Sequence, residues 1–355
     1  MLVLPLGSCQ KVERASDPYL KELPSSVTVK VNDIYKLRVV KSVSAVYNID
    51  GDEALGESEK RDITSDCTFV SADEGVARVS KDGVITGGRL GSTFINVRYF
   101  NHEQSVTVKV VKSEPVHIAH RGAMDAAPEN SLLAFKKAAE LGYKRFEFDV
   151  NIADDKNMYI LHNTNLSYMC GVDLDIKKLT LQNRTQYPLK RGYDPKTMEP
   201  QYIPTVEEVL DLIAETPEFE RVYLHLKTKL EDADAQRLAN LIRSRGLIDR
   251  IVVVFYSGDL ILNLGDDINK GIFLKSNSVE YCEKEVRWCL NHKAKTILFE
   301  YHNGGPYLVP IPEIVSKIHE NGIEMVSYVV NNEEELNTTR ECGQDAIFTN
   351  KCLLK

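Results

Sequence analysis

The chain has little that would build a cysteine framework, a membrane span or a nucleic-acid surface. Its seven cysteines in 355 residues show neither paired metal-binding spacing nor the density of a disulfide scaffold. Cys282 and Cys289 recur seven apart in a helical stretch, the spacing of two core positions. Beyond the N-terminus no apolar run reaches the ~18 residues that a membrane helix requires. Acidic residues outnumber basic ones, 52 against 44, for a net charge of -8. That balance argues against a nucleic-acid partner, because a phosphate backbone calls for a basic face. What the chain does have is 43% hydrophobic residues, enough over this length for two cores.

Its chemistry-bearing residues are concentrated. His120-Arg121-Gly122 is followed by Pro128-Glu129-Asn130, then Glu147-x-Asp149, then His162. Val116 to His120 and Arg145 to Val150 are short runs rich in β-branched and aromatic residues, separated by a helical period from Ser131 to Leu141. Alternation along a strand places Glu147 and Asp149 on one face and Phe146, Phe148 and Val150 on the other. Two carboxylates so close repel unless a cation sits between them, and a divalent ion with oxygen ligands is the usual answer. An imidazole takes or gives a proton near neutral pH, so His120 and His162 suit the nucleophile and the leaving oxygen of a diester. Arg121 offers a planar fork to a phosphate. Glu129 is placed to brace Arg121, and Asn130-Ser131 reads as a helix cap. Met158 to Leu161, too close to the Glu147 strand for a parallel crossover, is expected to fold back over the site as a hairpin-like excursion.

Eight runs of parallel-strand type follow one another: Val116 to His120, Arg145 to Val150, Arg221 to Lys227, Arg250 to Phe255, Gly271 to Lys275, Thr296 to Glu300, Ile323 to Val330 and Asp345 to Thr349. Helical stretches separate most of them: Ser131 to Leu141, Thr205 to Ala214, Ala233 to Ser244, Val279 to Asn291, Glu313 to Glu320 and Glu333 to Glu341. Eight such units close an α/β barrel of the (β/α)8 TIM type, with every candidate residue at the carboxyl end of its strand. Ser257 to Asn269 is the weak point, with Gly and Asp and a poor helical pattern. The loop from Cys170 to Tyr202 is expected to shape the pocket.

In its motifs, residues 116 to 350 resemble the glycerophosphodiester phosphodiesterase family. The family's strand end, helix start, acidic pair and His-Asp appear as His120-Arg121-Gly122, Pro128-Glu129-Asn130, Glu147-x-Asp149 and His162-Asn163. Its Pro-Thr-Leu-Glu-Glu-Val-Leu segment appears as Pro204-Thr205-Val206-Glu207-Glu208-Val209-Leu210. Its closing segments appear as Tyr328-Val329-Val330-Asn331 and Gly343-Gln344-Asp345-Ala346-Ile347-Phe348-Thr349-Asn350. The resemblance implies His120 and His162 as acid and base, one Ca2+ or Mg2+ held by the carboxylates, and Arg121, Lys227 and Tyr328 on a small phosphodiester substrate. It also implies a neighbouring substrate hydroxyl as first nucleophile, through a cyclic phosphate.

The chain departs from that pattern at the third metal ligand. The family's Glu-x-Lys reads His225-x-Lys227 here, and imidazole suits Zn2+ or other transition metals, Mn2+ among the candidates, better than Ca2+ or Mg2+. Three readings stand open: His225 completes a softer site, it stands off the metal against substrate, or the metal is weak or absent. Glu300 is a candidate replacement carboxylate. Asn163 and Tyr328 replace the family's Asp and Trp in the substrate pocket.

Residues 25–111 differ in kind, with short alternating runs from Val27 to Val31, Tyr35 to Val40, Val76 to Val79, Gly83 to Ile85, Phe94 to Val97 and Val106 to Val111. Turns at Asp82-Gly83 and Gly87-Gly88 complete the pattern of an all-β sandwich. The stretch from Val76 to Gly87 with Gly91-Ser92-Thr93 resembles the bacterial immunoglobulin-like group 2 domains. Leu6-Gly7-Ser8-Cys9 resembles a lipobox, with Cys9 the residue lipidated after cleavage of the leader. Residues 1–24 would then be a leader and tether to a membrane surface in a bacterial cell envelope, and 112–355 the barrel. Two classes of function follow. One is a metal-dependent phosphoric diester hydrolase acting on glycerophosphodiesters, with a cyclising phospholipase-D-like lyase as its variant. The other is a surface-anchored binding protein that has lost hydrolysis.

Overall fold

The computed structural model describes residues 12–15, 23–49, 52–256, 264–274, 276, 278–300 and 312–351. The Leu6 to Cys9 motif, most of the expected tether and residues 257–263 lie outside them. The chain divides into two compact units, Met1–Lys112 and Ser113–Lys355.

In the first unit, Ser26–Lys30, His102–Val111, Gly91–Tyr99 and Thr68–Ser71 lie side by side in one sheet. A second sheet orders Ile34–Lys36, Val84–Gly87 and Ala77–Val79. Alternation sends Val27, Val29, Ile95, Val97, Val106 and Val108 into a core shared with Leu37, Val39, Ile63 and Ile85. Three elements were not anticipated. Val12–Ala15, within the stretch expected to be a tether, is a strand that pairs antiparallel with Val40–Ile49. The hairpin of Val40–Ile49 with Asp52–Asp62 has a second strand, DEALGESEKRD, too charged to show apolar alternation. Thr68–Ser71 is too short to stand out.

The second unit is a closed barrel of eight parallel strands: β1 Val116–Ala119, β2 Arg145–Ile152, β3 Arg221–Leu226, β4 Ile251–Tyr256, β5 Asn269–Leu274, β6 Ala294–Glu300, β7 Glu324–Tyr328 and β8 Ala346–Thr349. Consecutive strands pair in order, and β1 closes the ring by pairing with both β8 and β2. Six helices fall where the apolar period placed them: α1 Leu132–Glu140, α2 Val206–Glu215, α3 Asp232–Ser244, α4 Val279–His292, α5 Pro312–Glu320 and α6 Glu333–Cys342. Local chemistry sets their starts. Ser131 accepts from Ala134 N–H ahead of α1, and Thr205 with Glu208 forms a reciprocal capping box at α2. Cys282 and Cys289 are buried on α4, as expected of core positions.

Alternation divides each strand into two columns. Phe146, Phe148 and Val150 of β2 face the helices, packed with Phe135 and Phe219. Burying each such ring contributes about 1.5–3 kcal/mol. The other column enters the barrel. On β2 it runs Arg145, Glu147, Asp149; on β3 it runs Arg221, Tyr223, His225 and on to Lys227; on β7 it runs Glu324, Val326, Tyr328. At the amino-terminal end, Arg145 and Arg221 both bond Glu324, at 2.7 and 2.9 Å, and the Tyr223 hydroxyl donates to the same carboxylate at 3.0 Å. A hydrophobic layer of Ile118, Val252, Leu298, Val326 and Phe348 lies above. The carboxyl ends are therefore the open, functional end of the ring.

Between β2 and β3 the chain makes a long excursion. Met158–Ile160 returns antiparallel on β2, with Ile160 opposite Val150, as the short connection required. Residues beyond it gather around Tyr159, Leu161, Met169, Leu179, Leu189 and Ile203 into a small core of their own.

Candidate active site

The carboxyl ends of the strands enclose a cavity of about 320 Å3. His120, Arg121, Glu147, Asp149, His162, His225, Lys227, Tyr328 and Glu300, all singled out in the sequence, line it. Glu129 stands behind it and accepts from Arg121 Nη1 at 2.9 Å.

β2 and β3 are in register with Asp149 opposite His225. This brings His225 Nδ1 to 3.3 Å from Asp149 Oδ1 and 3.8 Å from Glu147 Oε1. One ligand atom from each of the three lies within 4.8 Å of the others. Lys227 Nζ follows at 3.6 Å from Asp149 Oδ1. Glu147 and Asp149 are both 1% exposed, and Glu147 Oε1 has no hydrogen-bond donor among the described residues. A buried carboxylate oxygen left without a donor costs free energy unless something positive meets it. Two carboxylates and an imidazole converging on one point fit a divalent cation.

The electrostatics run the same way. Burial and the neighbouring Asp149 push the Glu147 carboxyl well up from its ordinary value. Burial also pulls Asp149 upward but is outweighed by its hydrogen bond with His225 and by Arg121 and Lys227, which hold it well below. The pair strongly resists carrying two charges, the condition a bound cation relieves. Burial lowers the His225 imidazole, against the opposing pull of its hydrogen bond with Asp149.

His120 is held at the mouth of β1 by Asn350, whose Oδ1 lies 2.6 Å from Nδ1. With Nδ1–H donating there, Nε2 carries the lone pair toward Glu147 Oε2 at 3.8 Å. Burial, reinforced by Arg121, pushes this imidazole down to about 3. His162 stands on the returning excursion, with Nδ1 3.0 Å from Asn163 Oδ1, and burial lowers it as well. Asn163 therefore orients the imidazole beside it.

Two residues play more than the sequence assigned them. Ser131 caps α1 as expected, but Asn130 is no mere cap: its Nδ2 donates to Asp149 Oδ2 at 2.9 Å and its Oδ1 accepts from Asp149 N–H at 3.2 Å. It does so at φ +58°, next to a turn in which Arg121 stands at +56° and Gly122 at +77°. The left-handed run turns Arg121 N–H onto Glu147 Oε2 at 3.1 Å, while Arg121 Nε lies 3.3 Å from Asp149 Oδ2. Asn350 was read only as part of a strand motif; its hold on His120 spans 230 residues and has no local signal.

Two expectations change. The Cys170 to Tyr202 loop contributes no residue to the cavity; its apolar side chains bury themselves in the excursion's own core, and His162 is the excursion's contribution. Glu300 does line the cavity, but it stands outside the Glu147, Asp149 and His225 group. β6 is on the far side of the ring from β2, so Glu300 does not replace the family's missing carboxylate. Tyr256, Phe273, Val329 and Phe348 also line the cavity and were not singled out.

The chain is 25% identical over 233 residues to a glycerophosphodiester phosphodiesterase of Caldanaerobacter subterraneus subsp. tengcongensis, covering 65% of this chain and 92% of the relative. A glycerophosphodiester phosphodiesterase of Bacillus altitudinis is 25% identical over 238 residues, covering 65% and 92%. Among solved structures, a phosphodiesterase of Oleispira antarctica in complex with the product sn-glycerol-3-phosphate shares the fold, with TM-score 0.56, 22% identity and coverage of 66% of this chain and 93% of that one. So does a glycerophosphodiester phosphodiesterase of Agrobacterium tumefaciens, with TM-score 0.54, 17% identity and coverage of 67% and 97%. The model of the glycerophosphoryl diester phosphodiesterase family matches residues 120–354, from the first cavity histidine through the last barrel strand, and the chain belongs to that family.

Proposed function

We propose that the barrel is a glycerophosphodiester phosphodiesterase in which His120 and His162 move the protons. The observation that carries this reading is the convergence of two imidazoles, Arg121 and Lys227 around a buried carboxylate pair in one cavity. His120 Nε2 takes the proton of the attacking hydroxyl, because Asn350 holds its other nitrogen as a donor. As the new P–O bond forms, the bond to the leaving alcohol breaks, and His162 gives that oxygen its proton. Where the attacker is the substrate's own neighbouring hydroxyl, the product is a cyclic phosphate, and water opens it with the two roles exchanged. Arg121 and Lys227 hold the phosphoryl oxygens and stabilise the charge that builds on them.

Glu147, Asp149 and His225 are the residues that would hold a divalent cation, which when bound would polarise the phosphoryl group. The imidazole favours Zn2+ or Mn2+ over Ca2+ or Mg2+. For the first unit we propose an immunoglobulin-like module, supported by two of its sheets, which share one core. An envelope location through a lipidated Cys9 rests on the Leu6 to Cys9 motif alone.

The test supplies Ca2+, Mg2+, Mn2+ or Zn2+ to the purified protein with glycerophosphocholine and glycerophosphoglycerol. Released alcohol is assayed, and cyclic phosphate is followed by phosphorus NMR. Turnover is expected with at least one metal, and His120→Ala should lower it by roughly 10²–10⁴-fold. Binding of substrate without turnover under all four metals would mean that this chain is the binding protein instead.

A further inference from the structure

His120 and His162 are held in different ways. The His120 ring is fixed by Asn350, from just beyond β8. The His162 ring bonds its exposed neighbour Asn163, so its place in the cavity depends on the backbone that leads into it. That lead-in is tied residue by residue. Ile160 N–H donates to the Pro204 carbonyl at 2.9 Å, and Leu161 N–H to the Asp149 carbonyl at 3.1 Å. With Val150 opposite Ile160, the antiparallel register sets Asp149 opposite Leu161, and a pair bonded in this way ordinarily exchanges both backbone bonds. Here the reciprocal donor is engaged elsewhere, because Asp149 N–H goes to Asn130 Oδ1 at 3.2 Å. The Leu161 carbonyl, in a residue 1% exposed, is met by a side chain instead, Asn151 Nδ2 at 2.6 Å.

Asn151 stands two residues beyond Asp149 on β2, in the same column, and is itself 1% exposed. Its Oδ1 has no hydrogen-bond partner among the described residues. A buried amide with that oxygen unmet costs free energy that an apolar side chain of the same size would not. What the amide secures is the peptide bond between Leu161 and His162, since the carbonyl it holds is bonded to the His162 nitrogen. Past that carbonyl, His162 is only half-buried and Asn163 and Thr164 are exposed. We propose that Asn151 is a positioning residue for His162: it anchors the peptide that carries this histidine to the strand of Glu147 and Asp149, and so sets where the ring meets the leaving oxygen. This rests on the hydrolase reading with His162 as acid, and adds a residue that acts through it.

The full-length protein is assayed on two diesters with unlike leaving groups: glycerophosphocholine, whose alkoxide needs a proton to depart, and glycerophospho-4-nitrophenol, whose phenolate does not. His162→Ala is the reference and should slow the choline ester far more than the nitrophenyl ester. Asn151→Leu, close in size and without a donor, is expected to lower kcat for glycerophosphocholine by about tenfold while KM and the nitrophenyl rate stay within about twofold. Added to His162→Ala it should cause no further loss, because it acts through that ring. Its urea midpoint should equal or exceed that of the wild type, the unmet amide oxygen being gone. Asn151→Ala repeats the test with less bulk. Equal losses on the two esters, additive losses in the double variant, or failure of both single variants to fold would each overturn the positioning role. NMR of isotopically labelled histidine reads the same role without turnover: Asn151→Leu should shift or broaden the His162 ring signals and leave those of His120 in place. Unchanged His162 signals would overturn the proposal even in a protein that hydrolyses nothing, whereas altered signals without turnover would leave it standing and sink the hydrolase reading, so the two failures are separable.

Discussion

His225 and Asn130 show how single side chains set the character of this site. His225 stands where the family pattern has a carboxylate, and its ring meets Asp149 at 3.3 Å. Exchanging nitrogen for oxygen should move metal choice toward hard cations. His225→Glu is expected to raise activity with Mg2+ or Ca2+ relative to Zn2+ or Mn2+, and elemental analysis after dialysis should show the same reversal in bound metal; an unchanged order in both would show that His225 does not ligate. Asn130 binds Asp149 through both ends of its amide while occupying a left-handed φ of +58°. Removing a group that orients a ligand commonly weakens metal affinity by about 10–100-fold. Asn130→Gly tolerates the φ and should show that loss alone. Asn130→Ala should show the same loss and also be less stable by roughly 1–2 kcal/mol. Metal titration and urea unfolding of the two variants separate the effects, and unaltered metal affinity in both would remove Asn130 from the site.

At the scale of elements, the turn from β1 into α1 is what aims the site. Gly122 has φ +77°, and a Cβ there would lie 2.8 Å from the Ala134 backbone carbon and 2.9 Å from the Phe135 ring. α1 cannot yield, because Phe135 is buried against Phe146 at 4.6 Å between centroids. Gly122→Ala should therefore cost about 2–5 kcal/mol, the sum of left-handed strain and overpacking. Activity should fall with stability, since the same turn directs Arg121 N–H to Glu147. A urea midpoint equal to that of the wild type would show that the turn has slack. The helices and strands themselves were legible because each carries its period: Phe146, Phe148 and Val150 against Glu147 and Asp149 state which face is which. β4 was not legible in that respect. Ile251–Tyr256 reads IVVVFY, apolar on both faces, so nothing local says that Tyr256 enters the cavity.

At the scale of the whole molecule, each unit owns a core. Val27, Ile95 and Val108 belong to one, Phe135, Phe148 and Leu238 to the other. A barrel with its own core and all the described residues that line the cavity is expected to work by itself. Residues 113–355 expressed alone should fold cooperatively and hydrolyse the diester that the full chain hydrolyses; a folded but inactive fragment would show that the first unit contributes to catalysis. Sequence alone determined the faces and their order. A two-residue period binds Glu147 to Asp149 and His225 to Lys227, and strand-helix alternation permits few closures other than a barrel. Tertiary structure decided what meets across the ring. Asn350 reaches His120 only because β8 closes on β1, and Asp149 faces His225 only in this register of β2 on β3. Tyr256, Phe273, Tyr328 and Phe348 share the cavity only because closure turns one column of their strands inward. Periodicity is a local property that each segment carries with it, whereas register and closure are set by the packing of all eight strands at once, which no segment encodes by itself.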